Sequence, residues 1–181
     1  MVGREQMLTK WVHQLYQLEC ELFLSVNNRY DRVFLNVFFR KITHLGGATA
    51  TISIPLLVML IFGSPIRNWG IESAFSLLTS HLFVVFMKKM YPRARPYLSV
   101  TNARVGDNPL KDHSFPSGHT TAIISIITPF IIHMPILSMI LYPLAACVGI
   151  SRVFLGLHYP SDVLAGVFVG TVFGFLAVYL F

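Results

Sequence analysis

Three groups of polar residues interrupt an otherwise apolar chain. One lies near the C-terminus, in the stretch "SRVFLGLHYPSDVLAG", and contributes Arg152, His158 and Asp162. Charged groups cost several kcal/mol when they are dehydrated without partners, so these residues must face one another, a ligand or water. An arginine, a histidine and a carboxylate are residue types that can bind an anion and react with it.

The spacing of His158 and Asp162 favours a reactive imidazole. Asp162 follows His158 by four residues, close enough to bond one ring nitrogen and to leave the other free. Such a pair prepares an imidazole as a nucleophile or as a base. Pro160, between the two, suits the first turn of a helix.

A second group, "PSGH" at residues 116–119, lies where a helix is expected to begin. The free backbone amides and the dipole of a helix start form a ready anion site. Ser117 would add a hydroxyl donor to this site. His119 supplies a second imidazole, which is available as an acid.

The third group, in "KKMYPRARPY", contributes Lys88 and Arg95. With Arg152 they provide fixed positive charge, and arginine can bind phosphate through two parallel hydrogen bonds. Two histidines, a carboxylate, three cations and a helix start are typical of phosphoryl transfer without a metal, because the cations can stabilise charge on the equatorial oxygens. The clustered carboxylates that magnesium prefers are missing from the three groups.

The order and internal spacing of these motifs resemble the signature of the type 2 phosphatidic acid phosphatase superfamily: Lys88-x6-Arg95-Pro96, Pro116-Ser117-Gly118-His119 and Ser151-Arg152-x5-His158-x3-Asp162. The resemblance extends from about residue 42 to the C-terminus. It implies a membrane phosphatase with a helical core, an extracytoplasmic active face, and neither metal nor cofactor.

The resemblance also implies a role for each motif residue. His158 resembles the nucleophile that forms a phosphohistidine, Asp162 its orienting partner, and His119 the acid for the leaving group. The residues that resemble phosphate binders are Lys88, Arg95, Ser117, Gly118 and Arg152. The other cations of the same loop are expected to face lipid headgroups: Lys89, Arg93, Arg104 and Lys111.

Composition places the chain in a membrane. Of its 181 residues, 54% are hydrophobic and 12% are charged, whereas a soluble domain has about 25% charged residues. Its mean hydropathy is +0.63. Because a bilayer core requires about 20 apolar residues in a helix, five spans are expected, at 45–63, 69–90, 117–132, 136–151 and 161–181.

The N-terminal segment has a different pattern, with apolar residues at helical spacing and polar residues between them. This pattern favours amphipathic helices that lie in the membrane interface. One is expected over about residues 9–28 and a second over 33–44. The predicted organisation is a single all-α domain, 1–181, with interfacial helices in 1–44 and a catalytic helical core in 45–181.

The net charge of +6 is concentrated in and beside the loop after Lys88. Next to membrane spans, such a cationic loop favours an anionic headgroup as its partner over nucleic acid.

Two further features lie within the predicted spans. His81 precedes Lys88 by seven residues and is expected to be an interior polar residue. Small residues at 166, 170 and 174 are expected to pack against another helix of the chain.

The expected substrate is a lipid phosphate or diphosphate that approaches laterally from the bilayer. Three substrates fit: undecaprenyl diphosphate, phosphatidylglycerol phosphate and phosphatidic acid. The short chain favours a bacterial plasma-membrane protein by analogy with the family. Two alternatives use the same residues or the same fold, a lipid phosphotransferase and a non-enzymatic lipid-binding protein. The pattern leaves the oligomeric state open.

Overall fold

The described part of the chain is built from helices and short turns. A computed structural model describes residues 2–107 and 109–181, with side chains from Lys10 onward. Within these ranges no strand occurs, which confirms the predicted all-α fold. The α-helices are α1 Val2–Asn27, α2 Val33–Ile42, α3 Ala48–Ile61, α4 Ile66–Met90, α5 Pro96–Ser99, α6 Gly118–His133, α7 Ser138–Phe154 and α8 Pro160–Leu180.

Helix α6 lies at the centre and contacts α3, α4, α7 and α8. Ten of its 16 residues are buried, as expected of a helix that is apolar on all sides. Ile123, Ile126 and Ile127 pack with Val148 of α7 in the main hydrophobic cluster. Since the start of α6 carries the "PSGH" motif, this packing fixes the motif relative to the neighbouring helices.

Five helices lie at the positions of the five expected spans, but they differ in length. By length and composition, α4, the stretch Pro135–Phe154 and α8 can each cross a membrane. Helices α3 and α6 have 14 and 16 residues, a rise of about 21 and 24 Å against a bilayer core of about 30 Å. Helix α3 meets the preceding segment Val33–Gly46 at a bend of 51°, and the pair together can form a fourth span.

The N-terminal helices α1 and α2 form where amphipathic helices were expected. On α1, Phe23 and Asn27 are fully buried against the rest of the chain. Another face exposes a row of large apolar residues: Trp11, Leu15, Leu18 and Leu22. This row suits contact with lipid, and the interfacial location of α1 stays a prediction.

The small residues of α8 pack against α6, as expected for close approach within one chain. A Cβ added at Gly166 would lie 2.8 Å from the carbonyl oxygen of Ser117, and one at Gly170 would lie 2.7 Å from that of Thr121. At Gly174 the nearest atom would be the Cβ of Thr128, at 2.4 Å. Because two of these neighbours are backbone atoms, only a shift of the whole helix could relieve the clash.

We therefore expect Gly170→Ala to destabilise the protein by about 1–3 kcal/mol, the usual cost of overpacking. The measurement is the melting temperature in detergent, which should fall by several degrees. Gly63→Ala is the matched control, since a Cβ there meets nothing within 4 Å. Equal melting temperatures for the two variants would contradict the close approach of α6 and α8.

Candidate active site

The predicted site residues meet at one end of the bundle. Helix α4 ends there with Lys88, α6 begins there with His119, and the turn from α7 to α8 carries His158. These three residues line one cavity together with Arg95 and Gly118. The other predicted residues, Ser117, Arg152 and Asp162, are buried beside this cavity.

His158 and Asp162 are joined with the help of a third residue. The Nδ1 atom of His158 lies 3.6 Å from Oδ2 of Asp162, longer than a hydrogen bond. Ser114 donates its hydroxyl to the same Oδ2 at 2.5 Å and lies 3.5 Å from Nδ1. The other ring nitrogen, Nε2, faces Arg95, with 3.3 Å between it and Nη1. Nε2 is therefore the nitrogen that faces the cations.

The surroundings of His158 keep its imidazole neutral. Burial, together with the positive charges of Arg152 and Arg95, outweighs the opposing effect of the nearby Asp162 carboxylate and lowers the pKa of His158 to about 4. At neutral pH the ring therefore carries one proton and one lone pair. A neutral imidazole with a lone pair on Nε2 is the form that a nucleophile requires.

Arg152 is buried and has unused hydrogen-bond donors. Its side chain is 3% exposed, and Nη1 donates to the hydroxyl of Thr43 at 2.7 Å. Among the described residues, its Nε and Nη2 have no hydrogen-bond partner. A buried donor without a partner costs free energy, and the cost is larger when the group is charged. An anion bound between Arg152 and His158 would remove this cost.

The start of α6 offers a second set of donors. Ser117 precedes the helix, its backbone N–H donates to the carbonyl oxygen of Asp162, and its hydroxyl is paired with that of Thr120. The first-turn amides that follow, beginning with Gly118, have no partner within the helix. The backbone around Gly118 is thus a better anion donor than the Ser117 hydroxyl named by the motif.

His119 lines the same cavity as His158. Its Nε2 would lie 3.8 Å from a Cβ added at Gly47, which places the ring against the turn before α3. A Cβ at the preceding Gly46 would lie 2.7 Å from the carbonyl oxygen of His119. The two consecutive glycines thus allow the chain to pass close to the proposed acid.

The cavity continues from these polar groups into an apolar groove. The whole cavity has a volume of about 540 Å³, and its apolar part runs between α3 and α4. Several apolar residues that line it are exposed on the outside of the bundle: Ile52, Leu56, Leu78 and Val85. His81 also lines the groove and is exposed, so its expected interior location was wrong. The cavity is thus polar at one end and open along an apolar side.

Comparison with known proteins agrees with this architecture. The family described as "PAP2 superfamily" matches residues 69–181, which include all three motifs. The chain belongs to the PAP2 superfamily. It is an integral membrane protein, as its apolar helices and the membrane PAP2 structure below also indicate.

Three relatives illustrate the likeness. Lipid A 1-phosphatase of Rhizobium johnstonii is 32% identical over 119 residues, 63% of this chain and 49% of that protein. Phosphatidylglycerophosphatase B of Bacillus subtilis is 32% identical over 160 residues, 79% of this chain and 73% of that protein. The crystal structure of a PAP2-type phosphatidylglycerolphosphate phosphatase from Bacillus subtilis has a TM-score of 0.76 and 25% identity, covering 97% of this chain and 90% of that one. This chain thus spans about half the length of the first relative.

Arg93 contacts the candidate active site, and its expected role as a headgroup-facing cation was wrong. It was expected to face headgroups, but it donates to Asp162 Oδ1 at 2.8 Å, to Ser161 and to Glu19 of α1. Its guanidinium also lies over the ring of Tyr159, 4.0 Å from the centroid. The signal was its position two residues before Arg95 in an extended segment, where alternate side chains point the same way.

We expect Arg93→Gln to lower kcat of this PAP2 protein by about tenfold to a hundredfold, because Asp162 would lose a charged partner. Breaking a fully buried ion pair costs about 3–5 kcal/mol. Since Arg93 is 26% exposed, its loss should cost less than this, but the melting temperature should still fall. Lys89→Gln, at an exposed neighbouring position, is the control. An Arg93→Gln variant with the kcat and melting temperature of the control would show that Arg93 does not hold Asp162.

Proposed function

We propose that the chain is a metal-independent phosphatase that hydrolyses a lipid phosphate or diphosphate through a phosphohistidine. The observation that carries this proposal is Arg152, a buried guanidinium beside the neutral imidazole of His158, whose Nε and Nη2 find no partner in the described part of the chain. The relatives named as lipid phosphatases support the reaction class.

The cavity supports a substrate with an apolar tail. A phosphate at the polar end would leave its tail in the groove between α3 and α4, where apolar side chains meet lipid. Such a substrate need not leave the bilayer to react. Undecaprenyl diphosphate, phosphatidylglycerol phosphate and phosphatidic acid all have this form.

The proposed reaction has two steps at one phosphorus. Nε2 of His158 attacks, a nitrogen–phosphorus bond forms, and the bond to the leaving oxygen breaks as His119 gives that oxygen a proton. Water then attacks, loses a proton to His119, and the electron pair of the nitrogen–phosphorus bond returns to Nε2. Asp162 stabilises the charged imidazole in both steps. Inorganic phosphate and the dephosphorylated lipid leave.

The cations would replace the metal that many phosphoryl-transfer enzymes use. Lys88 and Arg95 line the cavity, and Arg152 is buried beside His158, so all three can face the equatorial oxygens of the phosphorus. The first-turn amides of α6 add donors. Fixed positive charge in a site with little water stabilises developing negative charge more than it would in solution.

We expect purified protein to release phosphate from lipid phosphates in the presence of EDTA and to acquire a phosphoryl label on His158. The label should be acid-labile and base-stable, so quenching must avoid acid.

His158→Ala should abolish both label and turnover. Asp162→Asn should stay folded and be slower by orders of magnitude, because the imidazole loses its orienting partner. His119→Ala should slow release less for a diphosphate, whose leaving group is already good.

The control for this series is His13→Ala, which removes an exposed imidazole of α1 and should leave turnover unchanged. Loss of activity with EDTA and its recovery with magnesium would contradict the metal-independent mechanism. A label that persists in His158→Ala would remove this residue from its proposed role.

We further propose that the catalytic end faces the extracytoplasmic side of a bacterial plasma membrane. The family resemblance supports this orientation, although the many lysines and arginines of this end run against the positive-inside rule. A single cysteine in place of exposed Asp107, in a background without Cys20 and Cys147, tests it. We expect a membrane-impermeant thiol reagent to label intact cells. Labelling only after the cells are broken would reverse the orientation.

A further inference from the structure

The carboxylate of Asp112 lies between two of the proposed phosphate-binding cations. Lys88 donates from Nζ to Oδ2 at 2.7 Å, and Arg95 donates from Nη2 to Oδ1 at 2.6 Å. Its two oxygens thus accept from the donors that a phosphate would need. Asp112 lies outside the three sequence motifs.

Backbone oxygens also accept hydrogen bonds from the two cations. Arg95 donates from Nε to the carbonyl oxygen of Asp112 at 2.8 Å and from Nη1 to that of Leu157 at 2.6 Å. Lys88 donates to the carbonyl oxygen of His113 at 2.6 Å. The backbone therefore helps to fix where the cations point, and the Asp112 carboxylate occupies Nη2 of Arg95 and one N–H of Lys88 that a ligand could use.

The two sides of this contact differ in their access to water. Arg95 is 1% exposed, whereas the side chain of Asp112 is 54% exposed and belongs to an irregular segment before α6. The carboxylate can therefore move into water, but the guanidinium cannot. Although partial burial works in the opposite direction, hydrogen bonds from Lys88 and Arg95 lower the pKa of Asp112 to about 2, so it stays charged.

We infer that Asp112 is an internal anion that occupies the Lys88–Arg95 half of the phosphate site when the site is empty and exchanges places with the phosphate of the substrate. This inference rests on the proposed function. Arg152, whose Nε and Nη2 have no partner among the described residues, offers donors that the phosphate can use without displacing Asp112. Each oxygen of the carboxylate is replaced by one oxygen of the phosphate, so the buried donors of Arg95 have an acceptor throughout.

The exchange has a predictable effect on affinity. A ligand that must first displace the carboxylate has a lower apparent affinity. Its affinity is reduced in proportion to the fraction of the protein in which the carboxylate is out of the site. The same competition acts on inorganic phosphate after the phosphohistidine is hydrolysed, and the returning carboxylate speeds its departure. Asp112 thus weakens binding of every phosphate group and shortens the time that the product stays bound.

The test is the affinity of purified full-length protein in detergent for inorganic phosphate and orthovanadate, measured from the ligand-dependent rise in melting temperature. We expect Asp112→Asn to bind both ligands at least about tenfold more tightly. With lipid phosphate as substrate, its KM should fall and its kcat should not rise. Asp112→Glu keeps the charge and should bind as the unchanged protein does.

Asp107→Asn is the matched control, because it removes the same charge from an exposed position of the same loop and should change affinity by less than about threefold through long-range attraction alone. If Asp112→Asn does not fold, Asp112→Ser serves in its place, since the backbone bonds to Lys88 and Arg95 remain. Unchanged or weaker binding in the folded variant would overturn the inference and leave the proposed function intact. Unchanged protein that neither binds these ligands nor hydrolyses any lipid phosphate would instead end the proposed function.

Discussion

The fully buried carboxylate of Asp162 is the group on which the rest of the site depends. It accepts from the backbone N–H of Tyr159, from Ser114 and from Arg93, while its backbone oxygen accepts from Ser117. These contacts join the α7–α8 turn, the loop before α6, the start of α6 and the segment after α4. A buried carboxylate without such donors would be very costly, so these segments are held together by the need to satisfy one charge.

Helix direction explains how so much positive charge can collect at one end. Helices α4 and α7 end at the site, and Lys88 and Arg152 lie in their last turns, where the helix dipole favours a cation. Helix α6 begins there and presents first-turn amides to an anion. Helix α8 also begins there, but its Ser161 N–H is already bonded to Glu19. Helices that end at the site therefore contribute cationic side chains, and the helix that begins there contributes backbone N–H donors. Together they suit a phosphate better than the end of any single helix does.

The sequence was sufficient to predict which motifs would meet, because alternating spans return them to the same membrane face and because His158 and Asp162 are close in the chain. It was not sufficient for residues whose position depends on an irregular path. Ser114, which joins His158 to Asp162, comes from an irregular loop, and Thr43, which holds Arg152, lies in the 3₁₀ turn where the expected helix 33–44 ends. The expected span over 45–63 was also longer than the helix that forms, because residues 43–46 make a separate 3₁₀ turn and α3 covers only Ala48–Ile61.

The groove between α3 and α4 has a consequence for how substrate concentration acts on the protein. A lipid that enters from the side diffuses in two dimensions, so occupancy of the groove follows its mole fraction among the surrounding lipids and not its amount per volume of water. Adding inert lipid or detergent dilutes the substrate in that surface without changing its bulk concentration. Saturation of such a site is therefore a property of the membrane composition.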